Sequence, residues 1–242
     1  MNSIAVGGRE EGKTTLALWL ARQSHLAVFV FDPRGIFVGE VVYSPEELQA
    51  AIDRHAEEGW TDDPIVYRFE GDPEEAFAEM SGVLFPPQFT RGGFALIIDE
   101  AGELQGANRI CDELRRVVAQ HPTDKTPGRA PEDRVHVIQT SHRLAEYHGK
   151  IKTCLNDLYI FRTRNPRDLD ALDDFTGEPE LREIVTDLPK HHLVHYKFAR
   201  QEDGIAQYDI WSDPTVWYTD LGHGEAREVS TQEVSALEAP LA

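Results

Sequence analysis

The stretch Ile4-Ala5-Val6-Gly7-Gly8-Arg9-Glu10-Glu11-Gly12-Lys13-Thr14-Thr15 decides how the rest of the chain is read. A short apolar run leads into a glycine-bounded loop, and an apolar helical pattern, Leu16 to Ala21, follows. Strand, loop, helix is the order a phosphate-binding loop needs, and the spacing G-x-x-x-x-G-K-[ST] is met in full. Gly7 and Gly12 let the backbone wrap close to a polyphosphate. The loop N–H groups then point inward, and the helix N-terminus adds partial positive charge. On this reading Gly7, Gly8, Arg9, Glu10, Glu11, Gly12, Lys13, Thr14 and Thr15 form the cradle for ATP. Lys13 reaches the β- and γ-phosphates, and Thr14 offers its hydroxyl to Mg²⁺. Glu10 and Glu11 must then point away from the phosphates, which they would repel.

Working outward, the chain alternates strands and helices. The loop's helix is expected from Lys13 to about Ser24. Leu26–Phe31 is a continuous apolar run, as in a parallel strand buried on both faces. It ends in the turn Asp32-Pro33-Arg34-Gly35, and Ile36 to Tyr43 reads as a further extended piece. Ser44-Pro45-Glu46-Glu47 is a capping box with proline at the first helical position, opening a helix to about Glu57. Ile65–Phe69 reads as a strand, and Asp72-Pro73-Glu74-Glu75 caps a helix running to about Val83. This alternation predicts an α/β fold with a mainly parallel central sheet between helical layers, and with the phosphate-binding loop it resembles a RecA/ASCE-like P-loop NTPase.

Phe94-Ala95-Leu96-Ile97-Ile98-Asp99-Glu100 is the second chemical motif: an apolar strand ending in two acids. In a P-loop enzyme the strand beside the loop's own strand ends in this way. Asp99 would hold the Mg²⁺ shell, and Glu100 would orient and polarise the attacking water. A glutamate after the aspartate favours hydrolysis over transfer to a substrate hydroxyl. A helix is expected over about Arg109 to Gln120. The loop 121–134, with three prolines, a glycine and mixed charges, excludes regular structure. Val135–Ile138 is the next strand, ending in Gln139-Thr140-Ser141-His142-Arg143, where a polar side chain can sense the γ-phosphate. Leu158–Phe161 is another strand, and 167–175 and 180–188 read as helices. Strands His191–Phe198 and Ile205–Trp211 follow, with Trp211 and Trp217 packing as a C-terminal extension. His191, His192 and His195 invite a metal reading, but on a strand His192 faces away from the other two.

At 242 residues with 40% apolar content, one compact domain over residues 1–219 is expected, followed by a Gly-, Ser- and Glu-rich flexible tail, 220–242. No apolar run approaches a membrane span, and two cysteines are too few for a disulfide framework. With no signal peptide expected either, the cytoplasm is the expected compartment. The formal net charge of −19 excludes indiscriminate nucleic-acid binding, so any DNA contact must come from a local basic patch or a ring interior.

The N-terminal P-loop, Ile97-Ile98-Asp99-Glu100-Ala101-Gly102-Glu103-Leu104, a Gly-Arg pair before the next strand, and Val137-Ile138-Gln139-Thr140-Ser141-His142-Arg143 together resemble the FtsK/HerA superfamily of ring-forming DNA translocases. The likeness continues through Lys150-Ile151-Lys152, Tyr159-Ile160-Phe161-Arg162 and Arg167-Asp168, and covers about residues 3–198. Small size and the lack of a fused domain are most similar to the genome-packaging ATPases of internal-membrane (tectivirus-type) phages and archaeal viruses. The resemblance implies an ATP- and Mg²⁺-dependent motor that moves double-stranded DNA into a preformed capsid. It further implies a homo-oligomeric ring, a hexamer, working in the host cytoplasm or with the virion, beside capsid-vertex or membrane-associated viral proteins. It places a trans-acting arginine finger shortly before the strand ending in a Thr-Gln pair. Gly128-Arg129-Ala130 fits, so Arg129 is the first candidate and Arg134 the second, while Arg162, Arg164 and Arg167 either complete a neighbour's site or are solvated. Here Gln139 precedes Thr140, and Ser141 takes the usual Gln place. The sensor is therefore Gln139, Thr140 or Ser141, with Gln139 favoured. Arg143, Lys150 and Lys152 are candidate DNA contacts. The alternatives are a cellular HerA-like or secretion-type translocase, a nucleotide-dependent switch or accessory ATPase that binds a protein partner, and a small-molecule kinase.

Overall fold

Strand β1 (Asn2–Val6) is buried along its whole length, and alternate side chains serve two separate cores. Ile4 and Val6 enter one, while Ala5 enters the other. The same division runs through β2 (Ala27–Phe31) and β5 (Phe94–Ile98): Phe29, Phe31, Leu96 and Ile98 on one side, Val28, Val30, Ala95 and Ile97 on the other. Continuous apolar runs are what a sheet covered on both faces requires. The computed structural model describes residues 1–85, 93–120, 134–198 and 207–211.

The remaining elements, in chain order, are α1 (Lys13–Gln23), β3 (Glu40–Val42), α2 (Pro45–Glu58), β4 (Ile65–Tyr67), α3 (Pro73–Leu84), β6 (Gln105–Gly106), β7 (Arg109–Ile110), α4 (Asp112–Gln120), β8 (Val135–Ser141), α5 (Gly149–Lys152), β9 (Asp157–Phe161), α6 (Pro166–Thr176), α7 (Glu180–Asp187), β10 (Leu193–Lys197) and β11 (Gln207–Trp211). Among the described residues the main sheet runs β11-β10-β9-β1-β8-β5-β2-β4-β3. From β9 to β3 every pair is parallel, and β10 and β11 add an antiparallel edge. Leu16, Ala17, Leu20 and Ala21 of α1 cover one face, where Trp19 meets Trp211 edge-on at 6.0 Å. Residues of α2, α3, α4, α6 and α7 pack into the core on the other face. The expected three-layer, mainly parallel architecture is what forms, and Trp211 packs as expected, whereas Trp217 and the tail 220–242 lie outside the described residues.

Four expectations need correction. The strand ending in Asp99-Glu100 is not beside β1, because β8 lies between them, with Ile4 opposite Gln139 and Ile98 opposite the same residue on the other side. β8 runs on to Ser141 rather than ending at Ile138, since β1 pairs with it as far as Ser141 and β5 as far as Gln139. The helix expected from Arg109 starts at Asp112. Arg109–Ile110 pairs with Gln105–Gly106 in a hairpin, and the Cys111 sulfur then accepts the Leu114 N–H at 3.3 Å. The extended piece 36–43 is a strand only over Glu40–Val42. The N–H groups of Ile36 and Phe37 are taken by the buried Asp32 carboxylate, at 3.1 and 3.0 Å, which curls that segment back.

Candidate functional site

The P-loop is shaped by its neighbour β9. A Cβ on Gly7 would sit 2.5 Å from the Phe161 Cβ, so the backbone passes where no side chain fits. Gly12 adopts the left-handed φ of 106° and packs on the Phe161 ring. It is also the residue before α1, and it supplies no side-chain acceptor to the helix. The first turn of α1 carries no acid either. In contrast, Ser44 caps α2 and Asp72 caps α3, each followed by two glutamates. The leading N–H groups of α1 therefore remain for an anion, at the positive end of the helix dipole. They open into a cleft of about 390 Å³ at the carboxyl ends of the parallel strands, where Lys13, Thr14 and Thr15 face Asp99 and Glu100.

Of the two loop acids, Glu11 behaves as expected. It is only 6% exposed, and its carboxylate accepts from Arg162 and from the His191 N–H, both at 3.1 Å. Those bonds turn it toward the end of β9. Glu10 is exposed, with φ of 59°, and stands among the residues lining the cleft, so the expectation holds for Glu11 alone.

Lys13 Nζ donates to the carbonyls of Gly7 (2.9 Å) and Gly8 (2.7 Å) and lies 3.1 Å from His142 Nδ1. Burial lowers its pKa, and the nearby Glu100, Asp99 and Glu11 charges oppose that shift. Across the cleft, the Thr140 hydroxyl donates to Asp99 Oδ1 at 2.6 Å and accepts the Glu100 N–H at 3.3 Å. Asp99 Oδ2 is buried without a hydrogen-bond partner. An orphaned carboxylate oxygen beside a cleft-lining threonine hydroxyl fits a hard divalent cation, so Asp99 and Thr14 are the residues that would hold Mg²⁺. Glu100, at the left-handed φ of 49°, receives His142 Nε2 at 2.9 Å and has Arg34 Nη1 at 3.5 Å. Burial raises its pKa; Arg34 and Lys13 pull it back.

Burial also raises the Asp99 carboxyl to about 6, against the lowering hydrogen bond from Thr140. A raised carboxyl pKa means that the folded chain binds more protons than the unfolded chain between the two pKa values. Stability should therefore fall as pH rises from about 4 to about 6 and level off above, by on the order of 2–3 kcal/mol for this group. Asp99→Asn should remove that loss. The variant is expected to melt higher than the parent at pH 7 without Mg²⁺, and the gap should narrow toward pH 4. Thermal melts at several pH values check this, and a gap that does not vary with pH contradicts it.

The cleft brings together only part of what the sequence named. Gln139 is fully buried and accepts from Gln105 at 3.3 Å; it does not line the cleft. Ser141 is turned to Glu146 (3.0 Å), and of the three sensor candidates only Thr140 touches the acidic pair. Arg129 lies outside the described residues. Arg134 sits at the amino end of β8, where its carbonyl accepts the Phe94 N–H, away from its own chain's cleft. Arg162 is engaged by Glu11, while Arg164 and Arg167 are exposed. Arg143 is paired with the buried Asp168 at 3.1 Å, Lys152 lies over the Phe175 ring, and Lys150 is exposed. Among the described residues no group of three or more His, Cys, Asp or Glu could hold a metal by themselves. His191 is in a left-handed turn before β10, and His195 bonds Asp157. Sequence reasoning missed Arg34 and His191 as cleft residues and gave His142 no role. The available signal was position, because Arg34 and His142 follow the carboxyl ends of parallel strands.

No family model and no curated protein sequence matches the chain. Solved structures do match. The genome packaging NTPase B204 from Sulfolobus turreted icosahedral virus 2, in complex with AMP, has a TM-score of 0.64 at 15% identity, covering 85% of this chain and 94% of that one. Its complex with ATP-gammaS gives 0.60 at 15% identity over 86% and 95%. VirB4 of Thermoanaerobacter pseudethanolicus gives 0.55 at 10% identity over 82% and 87%. The chain thus shares its fold with these structures, the P-loop α/β architecture its motifs suggested, and no described helix is long and apolar enough to cross a membrane.

Proposed function

We propose that the chain is an ATP-hydrolysing motor that translocates double-stranded DNA, packaging a viral genome into a preformed capsid. The observation that carries the reading is the cleft itself. Lys13, Thr14 and the free N-terminus of α1 face Asp99 and Glu100, an arrangement that would set a bound polyphosphate against the Glu100 carboxylate as general base. The fold likeness to a viral genome packaging NTPase solved with ATP-gammaS supports nucleotide chemistry and favours packaging over the other motor functions.

Lys13, Glu100, Arg129 and a strand-end sensor form the catalytic set, with Thr14 and Asp99 toward Mg²⁺. Thr140 is the better-placed sensor, since it bridges Asp99 and the Glu100 backbone. The working form is a homo-oligomeric ring, a hexamer, in the host cytoplasm or on the virion. Arg129 of one subunit serves the neighbour's site, and the tail 220–242 docks the ring or a shell protein. A cation aimed at the developing γ-phosphate charge from a neighbour ties hydrolysis to subunit motion.

The test is ATP hydrolysis with and without double-stranded DNA over a salt series, with Lys13→Ala as the blank. DNA should raise turnover, the stimulation should decline steeply as salt rises, and Arg129→Ala should abolish it. DNA-indifferent hydrolysis by a monomer at every salt concentration would sink the translocase and leave a nucleotide switch or kinase. The same preparation, sized by sedimentation, reads the ring directly.

A further inference from the structure

His142 follows the end of β8 and stands between the two halves of the cleft. Its Nδ1 lies 3.1 Å from Lys13 Nζ, and its Nε2 lies 2.9 Å from Glu100 Oε1. An ammonium has only donors, so Nδ1 must accept. Nε2 then carries the ring proton and donates to Glu100. Arg34 Nη1, also a donor, is 3.4 Å from Nε2 and 3.5 Å from the Glu100 oxygen, so the carboxylate is the acceptor the two donors share. Burial and the nearby Lys13, opposed by the Gly7 carbonyl, push the imidazole below its ordinary pKa and so toward the neutral ring. Lys13 meanwhile spreads its three protons over Gly7 O, Gly8 O and His142 Nδ1. A lysine with three acceptors in hand must give some of them up to reach a β- or γ-phosphate.

We propose that His142 is a positioning residue that links the P-loop lysine to Glu100, so that a polyphosphate drawing Lys13 from the imidazole also changes how Glu100 is held. The inference rests on the ATPase reading. It assigns to a single ring the passage of information from phosphate binding to the water-polarising carboxylate. No other described side chain bonds both Lys13 Nζ and the Glu100 carboxylate. Gln139, the sensor the sequence favoured, is turned to Gln105.

The two ring nitrogens can be tested separately. Asparagine places an acceptor near Nδ1 but lacks the N–H toward Glu100. Glutamine places an N–H near Nε2 but lacks the acceptor toward Lys13. In His142→Asn, kcat is expected to fall about ten-fold with affinity for a non-hydrolysable ATP analogue within about two-fold. In His142→Gln, kcat should stay within about three-fold, while analogue affinity rises about three-fold because Lys13 has one competitor fewer. Equal effects of both variants, or none, in a background where the parent hydrolyses ATP, overturn the inference and leave the ATPase standing. A parent that does not hydrolyse ATP removes the ATPase reading. The imidazole ¹⁵N spectrum then still decides the linkage: Nε2 protonated and Nδ1 bare without nucleotide, the Nδ1 resonance moving when the analogue is added. The opposite tautomer, or an unmoved Nδ1 in a protein that binds the analogue, overturns the proposal; failure to bind the analogue overturns it too.

Discussion

Glu100→Gln is expected to lower ATP turnover by about 10²–10⁴-fold, the range a positioned general base supplies, while nucleotide affinity stays within a few-fold. The carboxylate is 8% exposed at the end of β5, in a left-handed backbone conformation that a non-glycine residue adopts only when its surroundings impose it. Its backbone N–H is tied to Thr140, and its side chain lies between His142 and Arg34, so it is aimed into the cleft by both main chain and partners. Glutamine keeps the shape and can still accept from both neighbours. What it lacks is the negative charge that polarises water. Thermal stability should change little, so the loss reads as chemistry rather than folding. Single-turnover hydrolysis beside analogue titration separates the two, and turnover within three-fold of the parent would place the base elsewhere.

Lys13→Ala is expected to weaken ATP-analogue binding and cut turnover, each by about 10²–10³-fold, the scale of removing one charged group aimed at a phosphoryl oxygen. Two losses combine. The cation that reaches the phosphates disappears, and the Gly7 and Gly8 carbonyls lose the donor that now holds the loop together. Lys13→Arg should not rescue. The ammonium is a compact point charge enclosed by two carbonyls and a ring nitrogen, and a planar guanidinium cannot reproduce that contact. Calorimetric titration with the analogue reads the affinity directly. Retained binding in Lys13→Ala would mean that the α1 N-terminus alone anchors the phosphates.

Much of the fold is legible in order along the chain. The P-loop spacing, the apolar runs of β1, β2 and β5, and the proline-led caps of α2 and α3 each lie within a few residues of sequence. Backbone geometry and side-chain chemistry act locally there. Errors arose where a partner only three to five residues away overrode the apolar pattern. Arg109 and Ile110 look like helix residues until the hairpin with Gln105 and Gly106 claims them. Ile36 and Phe37 look like strand until Asp32 takes their N–H groups.

The sequence by itself determined a P-loop between a strand and a helix, the acidic pair after an apolar strand, and the α/β class. It also set an acidic chain that must restrict where DNA could touch it. Only the tertiary structure decided that β8 lies between β1 and β5, which brings Thr140 to Asp99 and His142 to Lys13 and Glu100. Likewise, Glu11 is turned away by Arg162 and His191, 151 and 180 positions distant. The physical reason is that a motif within nine residues is held by its own backbone. A contact across forty residues or more depends on which strands share hydrogen bonds, and that choice minimises exposed apolar surface over the whole sheet.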